Sequence, residues 1–548
     1  MSTTYNDYDH ILQSPGHLST ESTTSLRTQI DLEIRELHHR LQYLATVRNT
    51  LAPVARLPRE VLGKIFDLVR VDDNGRVLVK RILPASWVSQ HWRDVVLGDP
   101  KLWNQIDRSN CHWAIWCLIR SKTTPLFIQL SDDAIEILPA ATIDTLLREL
   151  PRIQLLRLGG EDLELDGRAR NRSKYSSIDH ILLEAPDFKS LLTGTSTLLK
   201  TLHLGTYVTG DTFANLAMPN LAHLKLQSCT FKWNEFLLPS LKTLCVQRPS
   251  TTIPTIDILK LLSRMPLLEE ITLNDALSEE RLSGSHLEPL RFPHLRLLTL
   301  SDYFTNQLSD LANNIVIPQN ASLSIAGSIS SGVRVEEVLQ SFFPVVQRRI
   351  NAMSLSPDTA AISRHSMMDT FCVGFGRCDT NGVIGNTVVQ SQSAGYTFDT
   401  PLQIFRNLPG PVGDIRCLQI RGFWFLKDGD FDDFVRLVEM MPNVEELVLE
   451  EFVAMSLLLH LGNFPNTSLP PRLKKITHGK IYSTLNNIQL TDAQIEGLIL
   501  WRKNSSTKMV LKDPDLKSDP FNSKRQEAVF DEVNYEEGTH FLFSADEY

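Results

Sequence analysis

The chain has 548 residues, 42% hydrophobic and 22% charged, with a formal net charge of −9. That length admits more than one domain or one elongated array, and the balance is that of a folded, soluble protein. A mild negative charge excludes a generic nucleic-acid binder, which needs a concentrated basic face.

Residues 1–25 are polar, lack the apolar core of a signal peptide, and read as a disordered tail. No run of about 18 apolar residues follows anywhere, so no membrane partner is expected. Seven cysteines (111, 117, 229, 245, 372, 378 and 417) form an odd set without a CxxC pair. Neither a disulfide framework nor a metal site is indicated, and reduced thiols in the cytoplasm or nucleus are the simplest reading.

Over 26–52, Ile30, Ile34, Leu37, Leu41, Leu44, Val47 and Leu51 recur at spacings of three and four, with charges between them. This predicts one amphipathic helix. The heptad lasts for about three repeats, near the lower limit for a coiled coil, so docking on the adjoining domain is the expectation.

Pro53 ends that helix, and Pro58 opens the next at a position where a missing N–H does no harm. Glu60 complements the helix dipole. Val61, Ile65 and Leu68 form one apolar stripe, and Leu62, Phe66 and Val69 form its neighbour. PASWVSQHWRDVVL predicts a further helix, broken at Gly98-Asp99-Pro100 and followed by Leu102 and Trp103. A unit of about fifty residues has a marginal core, and two broad apolar stripes on it imply a partner.

These residues resemble the F-box, in the F-box-like form common in mushroom-type fungi. The matching pieces are Leu57-Pro58-x-Glu60-Val61-Leu62-x-x-Ile65-Phe66, Val88-Ser89-x-x-Trp92-Arg93 and Pro100-x-Leu102-Trp103. The segment VDDNGRVLVKRIL departs from that family's middle helix. The resemblance implies a small all-α module at 53–108 that docks on a Skp-type adaptor of a cullin–RING ubiquitin ligase. It further implies that Leu57, Pro58, Val61, Ile65, Phe66, Val88 and Trp92 include most of the adaptor contacts.

A repeat then occupies 109–480. Pro219…Leu221…Leu224-Lys-Leu226 recurs from Pro239, Pro266 and Pro293, in steps of 20, 27 and 27 residues. Earlier copies end at Leu158, Leu183 and Leu204, and later ones at Ile420 and Leu449. Weaker copies lie at Leu323-Ser-Ile325 and Ile350…Met353-Ser-Leu355. Steps in the twenties with an LxxLxL kernel resemble leucine-rich repeats. Leucines two apart share one side of a short strand, and the stretches IDILKLLSRMP and DDFVRLVEMMP read as intervening helices. The expected fold class is therefore α/β, a solenoid of short parallel strands and helices, degenerate and broken at 326–412.

With the leucines inward, the intervening strand residues line a concave strip suited to a target protein of unknown identity. They are His203, His223, Lys225, Gln227, Thr243, Gln247, Glu270, Thr272, Asn274, Thr299, Gln419, Arg421 and Glu450. Segment 481–548 departs from the repeat. LTDAQIEGLILW predicts a capping helix, SKRQEAVFDEVNYEEG a last helix, HFLF a short strand, and SADEY an acidic end.

Two motifs imitate other chemistry. Asp428, Asp430, Asp432 and Glu439 have calcium-loop spacing, but Asp433 stands where the loop needs glycine; acids at a helix start are the better reading. Cys372-Val-Gly-Phe-Gly-Arg-Cys378 lacks the rest of a phosphate loop and reads as strand or loop. No HExxH or GxSxG occurs, so no catalytic residue and no cofactor are expected. The function this implies is a ligase target receptor acting by proximity; the alternative is a repeat scaffold that engages no ligase.

Overall fold

The computed structural model describes residues 20–71, 77–107, 111–131, 134–135, 138–159, 194–205, 216–228, 238–282, 288–302, 304–328, 335–352, 357, 359–364, 370–379, 382–392, 405–406, 411–422, 430–466, 469, 472–478, 491–512 and 530–534. Two compact units divide the chain, Met1–Leu146 and Leu147–Tyr548.

In the first unit, α1 (Thr20–Leu51) begins six residues before the expected start. Its side chains from Asp31 to Arg48 are all exposed, which corrects the expectation that this helix docks along its length. Near its end Asn49 Nδ2 donates to the Val88 carbonyl at 2.7 Å. A 3-10 turn (Pro53–Arg56) leads to α2 (Arg59–Val69), with Pro58 as N-cap rather than first helical residue.

The expected helix over PASWVSQHWRDVVL is in fact two pieces, a 3-10 turn (Leu83–Trp87) and α3 (Gln90–Gly98). Ser89 divides them: its backbone is extended, and its hydroxyl accepts the Trp92 N–H at 3.2 Å. Within the segment VDDNGRVLVKRIL, Val79–Arg81 forms another 3-10 turn, placing Val79 in the core beside buried Ile82.

Leu62, Phe66, Val95, Val96, Leu102 and Trp103 complete that core. Trp103 Nε1 donates to the Val96 carbonyl at 2.7 Å, which satisfies the one polar atom its indole brings inside. Gly63 is a poor helix former placed mid-helix for a steric reason: a Cβ there would stand 2.9 Å from Asp99 Oδ2. The unit continues past residue 108, since β1 (Gln105–Asp107) pairs in parallel with β2 (Leu126–Leu130) across helix α4 (Ala114–Ser121). Cys111 and Cys117 are buried, and burial, with Asp107 nearby, pushes the Cys117 thiol up to about 12.

The second unit is a mixed α/β structure around one large sheet. Its strands in chain order are β3 (Ile153–Leu158), β4 (Thr201–Leu204), β5 (His223–Gln227), β6 (Thr243–Gln247), β7 (Glu270–Asn274), β8 (Leu297–Asp302) and β9 (Ser322–Ser328). There follow β10 (Thr359–Arg364), β11 (Thr370–Asp379), β12 (Gly382–Gln392), β13 (Cys417–Gly422), β14 (Glu446–Glu450), β15 (Lys475–His478), β16 (Lys508–Lys512) and β17 (Glu532–Asn534). They lie side by side from β3 to β9, then β12, β11, β10, then β13 to β17. Every pairing is parallel except those of β11 with β10 and β12.

Region 326–412 therefore does not break the sheet as expected. A three-stranded meander enters in reverse order, so β12 continues from β9 and β10 passes the register on to β13. The leucine row continues across it, with a bulge between Phe375 and Arg377 in the β11–β12 pair. One row runs Leu156, Leu202, Leu224, Leu244, Ile271, Leu298, Leu323, Thr387, Phe375, Ala360, Leu418, Leu447, Ile476, Met509. Of the expected kernel at 350–355, Ile350 belongs to helix α7 (Val335–Ala352), and 353–355 lie outside the described residues, as does the copy at 178–183.

The repeated proline has a local cause. Leu221, Leu241, Leu268, Leu295 and Val444 each donate to the carbonyl three residues back, at 3.1–3.4 Å. The proline is thus the second residue of a β-turn, where its fixed φ is pre-set. The turn drops the first kernel residue into the core; Leu199, Leu221, Leu241, Leu268, Leu295, Val444 and Leu473 are all buried.

At the other strand end, Ser228, Arg248 and Asp275 have φ of 52°, 45° and 49°. Each donates its N–H to a carbonyl at the end of the next strand (Gln247, Asn274, and Ser301 one residue before the end) at 2.7–2.8 Å, so the strain is repeated with the hydrogen bond that holds it.

Helices α5 (Thr255–Leu262), α6 (Thr305–Asn313), α7 (Val335–Ala352), α8 (Asp430–Glu439), α9 (Glu451–Asn463) and α10 (Asp492–Asn504) connect strands. Among the described residues of the C-terminal segment the sheet continues. Helix α10, begun by a Thr491–Gln494 capping box, leads into β16, and residues 532–534 of the expected last helix are β17. Segment HFLF lies outside the described residues.

Helices α9 and α10 cross with their backbones in contact, since a Cβ on Gly497 would stand closer to the Gly462 carbonyl oxygen than any real contact allows. Gly497→Ala is expected to lower stability by about 1–3 kcal/mol, as overpacking does, checked by urea unfolding of the full chain.

Candidate functional site

Two surfaces bear the expected site residues, one in each unit. In the first, α2 splits its apolar residues between two faces. Leu62 and Phe66 turn inward, with the Phe66 ring edge-on to Trp92 at 5.3 Å. Val61, Ile65, Leu68 and Val69 remain exposed, Leu68 to 76%. Phe66, at 3%, is thus a core residue, which corrects its expected role as an adaptor contact; a neighbour in sequence with 100° of helical offset takes the other side.

The remaining expected contacts gather at the starts of α2 and α3. Pro58 is exposed and Leu57 half-buried, and the Leu57 carbonyl lies 3.2 Å from His91 Nε2 on α3. Val88 is exposed, and Trp92 is half-buried under Phe66. Trp87, 76% exposed, precedes Val88 in the chain, and the spacing of the expected helix does not select it. Arg70 secures the end of α2 from within, bonding Asp67 Oδ1 at 2.7 Å and the Leu102 carbonyl at 3.3 Å.

In the second unit, strand residues that alternate with the leucines form a second row on the opposite face: Arg157, His203, Lys225, Cys245, Thr272, Thr299, Ser324, then Gln419, Val448, Thr477 and Val510 beyond the meander. A further row joins Gln227, Gln247, Asn274 and Ser301.

Only part of this face is open. His223 and Glu270 are exposed; Lys225, Thr243, Gln247, Thr272, Asn274 and Thr299 are half-buried. His203, Gln227 and Gln419 are buried, which corrects their expected place on an open strip. Val448, Thr477 and Val510 are buried as well, so β14–β16 are covered on both faces, as parallel sheets commonly are. Arg421 and Glu450 pair in register at the ends of β13 and β14, and their side chains lie outside the described residues.

The loops entering the strands carry a repeated charge pattern. Glu269 accepts from Lys242 Nζ at 2.8 Å and lies 4.0 Å from Arg296. Glu445 pairs with Lys474 at 2.9 Å from the same repeat position. The lysine hydrogen bond holds each carboxyl below its usual range. Glu269, Arg296, His294 and Asn320 border a cleft of about 460 Å³ between successive loops.

Asp432 and Asp433 lie in the first turn of α8, and Arg436 pairs with Asp433 at 3.2 Å; Asp428 lies outside the described residues. Cys372–Cys378 lies within β11. Among the described residues no group of side chains has metal-ligating geometry, and no helix is long and apolar enough to cross a membrane. Compared with protein-family models and with curated proteins, the chain matches none.

Proposed function

We propose that this chain is the target-receptor subunit of a cullin–RING ubiquitin ligase. Its N-terminal unit acts as an F-box-like module that holds a Skp-type adaptor, and its repeats form a leucine-rich solenoid that holds a target protein. One observation carries the reading: the Val61/Ile65/Leu68 stripe stays exposed while Leu62 and Phe66 of the same helix fill the module's own core. An aliphatic stripe on a rigid helix, flanked by Trp87 and Val88, suits a partner's helical or groove surface.

In the repeats, the open part of the strand face at β5–β8, with His223, Lys225, Glu270, Thr272 and Asn274, is the target surface. The chain does no covalent chemistry in this scheme and supplies proximity. Co-purification of the full chain with a Skp-type adaptor tests it. Retention by the wild type and loss with Val61→Asp/Ile65→Asp supports the proposal; equal recovery with both proteins, or none with either, overturns it.

A second reading, a repeat scaffold without a ligase, is favoured by the 3-10 turns at Val79–Arg81 and Leu83–Trp87, where the family has its middle helix. Target capture by a chain that retains no adaptor would select it.

A further inference from the structure

The long helix α1 presents a narrow apolar seam that its own unit leaves uncovered. Ile34, Leu37, Leu41, Leu44 and Leu51 are all exposed, Leu51 to 70%. With half-buried Ile30 they fall at steps of 4, 3, 4, 3 and 7 residues. That is a strict 3.5-residue period, the narrow seam of a coiled coil rather than the broad 3.6-period stripe of a helix docked on a core. In heptad terms Ile30, Leu37, Leu44 and Leu51 occupy d, and Arg27, Ile34, Leu41 and Arg48 occupy a.

A 32-residue helix spans about 48 Å. One standing clear of its unit in water, with this seam exposed, needs a partner along its length.

We propose that α1 is one strand of a parallel, two-stranded coiled coil joining two copies of this chain. The seam is complementary to itself, which is what a two-fold interface requires. Leucine at three of four d positions with isoleucine at Ile34 favours two parallel strands. The flanking residues favour the same orientation. In parallel register, Arg40 at g faces uncharged Ala45 at e of the other copy. An antiparallel pair centred between Leu37 and Leu41 would instead set Arg40 against Arg40.

Arginines at the outer a positions cost stability and fix the register, since any slip would place them against leucine layers. The result is a receptor with two N-terminal modules at one end of a shared stalk. The inference does not depend on what those modules bind.

Sedimentation equilibrium of the full chain tests it. The wild type is expected at twice the 62.0 kDa chain mass at micromolar concentration. Leu37→Asp/Leu41→Asp is expected to raise the dissociation constant about 100-fold or more and give monomer, with tryptophan-fluorescence unfolding unchanged because both positions are exposed. A monomeric wild type, a higher multiple of the chain mass, or a dimer that survives the double substitution overturns the proposal. Orientation has its own readout: Leu44→Cys meets itself only in the parallel pair, so oxidation should yield a reducible covalent dimer that the wild type does not form. Absence of that dimer overturns the parallel arrangement even if the aspartate variant misfolds.

Discussion

Replacing Val61 and Ile65 by aspartate is expected to weaken the affinity for a Skp-type adaptor about 100-fold or more, with the chain's thermal unfolding unchanged. Both side chains are already on the surface, so their loss takes nothing from the core. In the complex each would bury its remaining exposed aliphatic area, worth on the order of 1 kcal/mol. A carboxylate desolvated there without a partner adds a further penalty, and together these exceed the roughly 2.7 kcal/mol that a 100-fold change represents.

Phe66 is the wrong place for such a test. It is buried against Trp92, so Phe66→Asp would lose binding by unfolding the module. Titration calorimetry of both proteins with the adaptor, beside their melting curves, separates the two effects. Unchanged affinity in the double variant would remove the main support for the ligase reading.

Between about pH 6.5 and pH 5 stability should fall through His478, and His478→Leu should abolish that part of the acid loss. This histidine occupies a leucine position: in register it stands between Leu449 of β14 and Leu511 of β16. It is fully buried, neither ring nitrogen has a hydrogen-bond partner, and its ring meets Phe530 edge-on at 5.4 Å. Burial lowers its pKa from 6.5 to about 3.

Above about pH 6.5 the ring is neutral folded and unfolded, and no pH dependence arises. Between about 6.5 and 3 the unfolded state binds a proton that the folded state refuses. Stability therefore declines by about 1.4 kcal/mol for each pH unit of acidification. From pH 8 to pH 5 the wild type should lose roughly 2 kcal/mol that His478→Leu retains. The variant should also gain about 1 kcal/mol or more at pH 8, because unpaired buried nitrogens are no longer held out of water. Urea unfolding at both pH values measures this; parallel pH profiles for the two proteins would sink the assignment.

The same histidine explains where the repeat became illegible. The kernel Leu473…Ile476-Thr-His478 has spacing and burial like its neighbours, but a polar residue in the last apolar slot hides it from a search for LxL. Further on, the slot three residues before Met509 holds exposed Ser506, and the buried residue is its neighbour Thr507, whose hydroxyl donates to the Leu473 carbonyl at 2.9 Å. A buried threonine one place off the kernel spacing reads as loop. Helix α10, taken for a cap, thus belongs to one more strand-helix step.

The meander at β10–β12 failed to show for another reason: its strands alternate by two without any kernel spacing. Its order in the sheet depends on pairing between segments distant in the chain.

Local chemistry by itself determined the parallel βα character, the prolines that set each turn, the leucine rows, and the partition of α2 into two apolar stripes. Those features depend on spacing along the chain, and spacing survives in a one-dimensional record. Which stripe faces water, which polar strand residues are sealed, and how the three-stranded insertion rejoins the sheet were decided only by tertiary packing. Each of these depends on what lies across space. Val61 and Leu62 are adjacent and chemically alike, and only the position of the neighbouring core makes one a surface and the other an anchor.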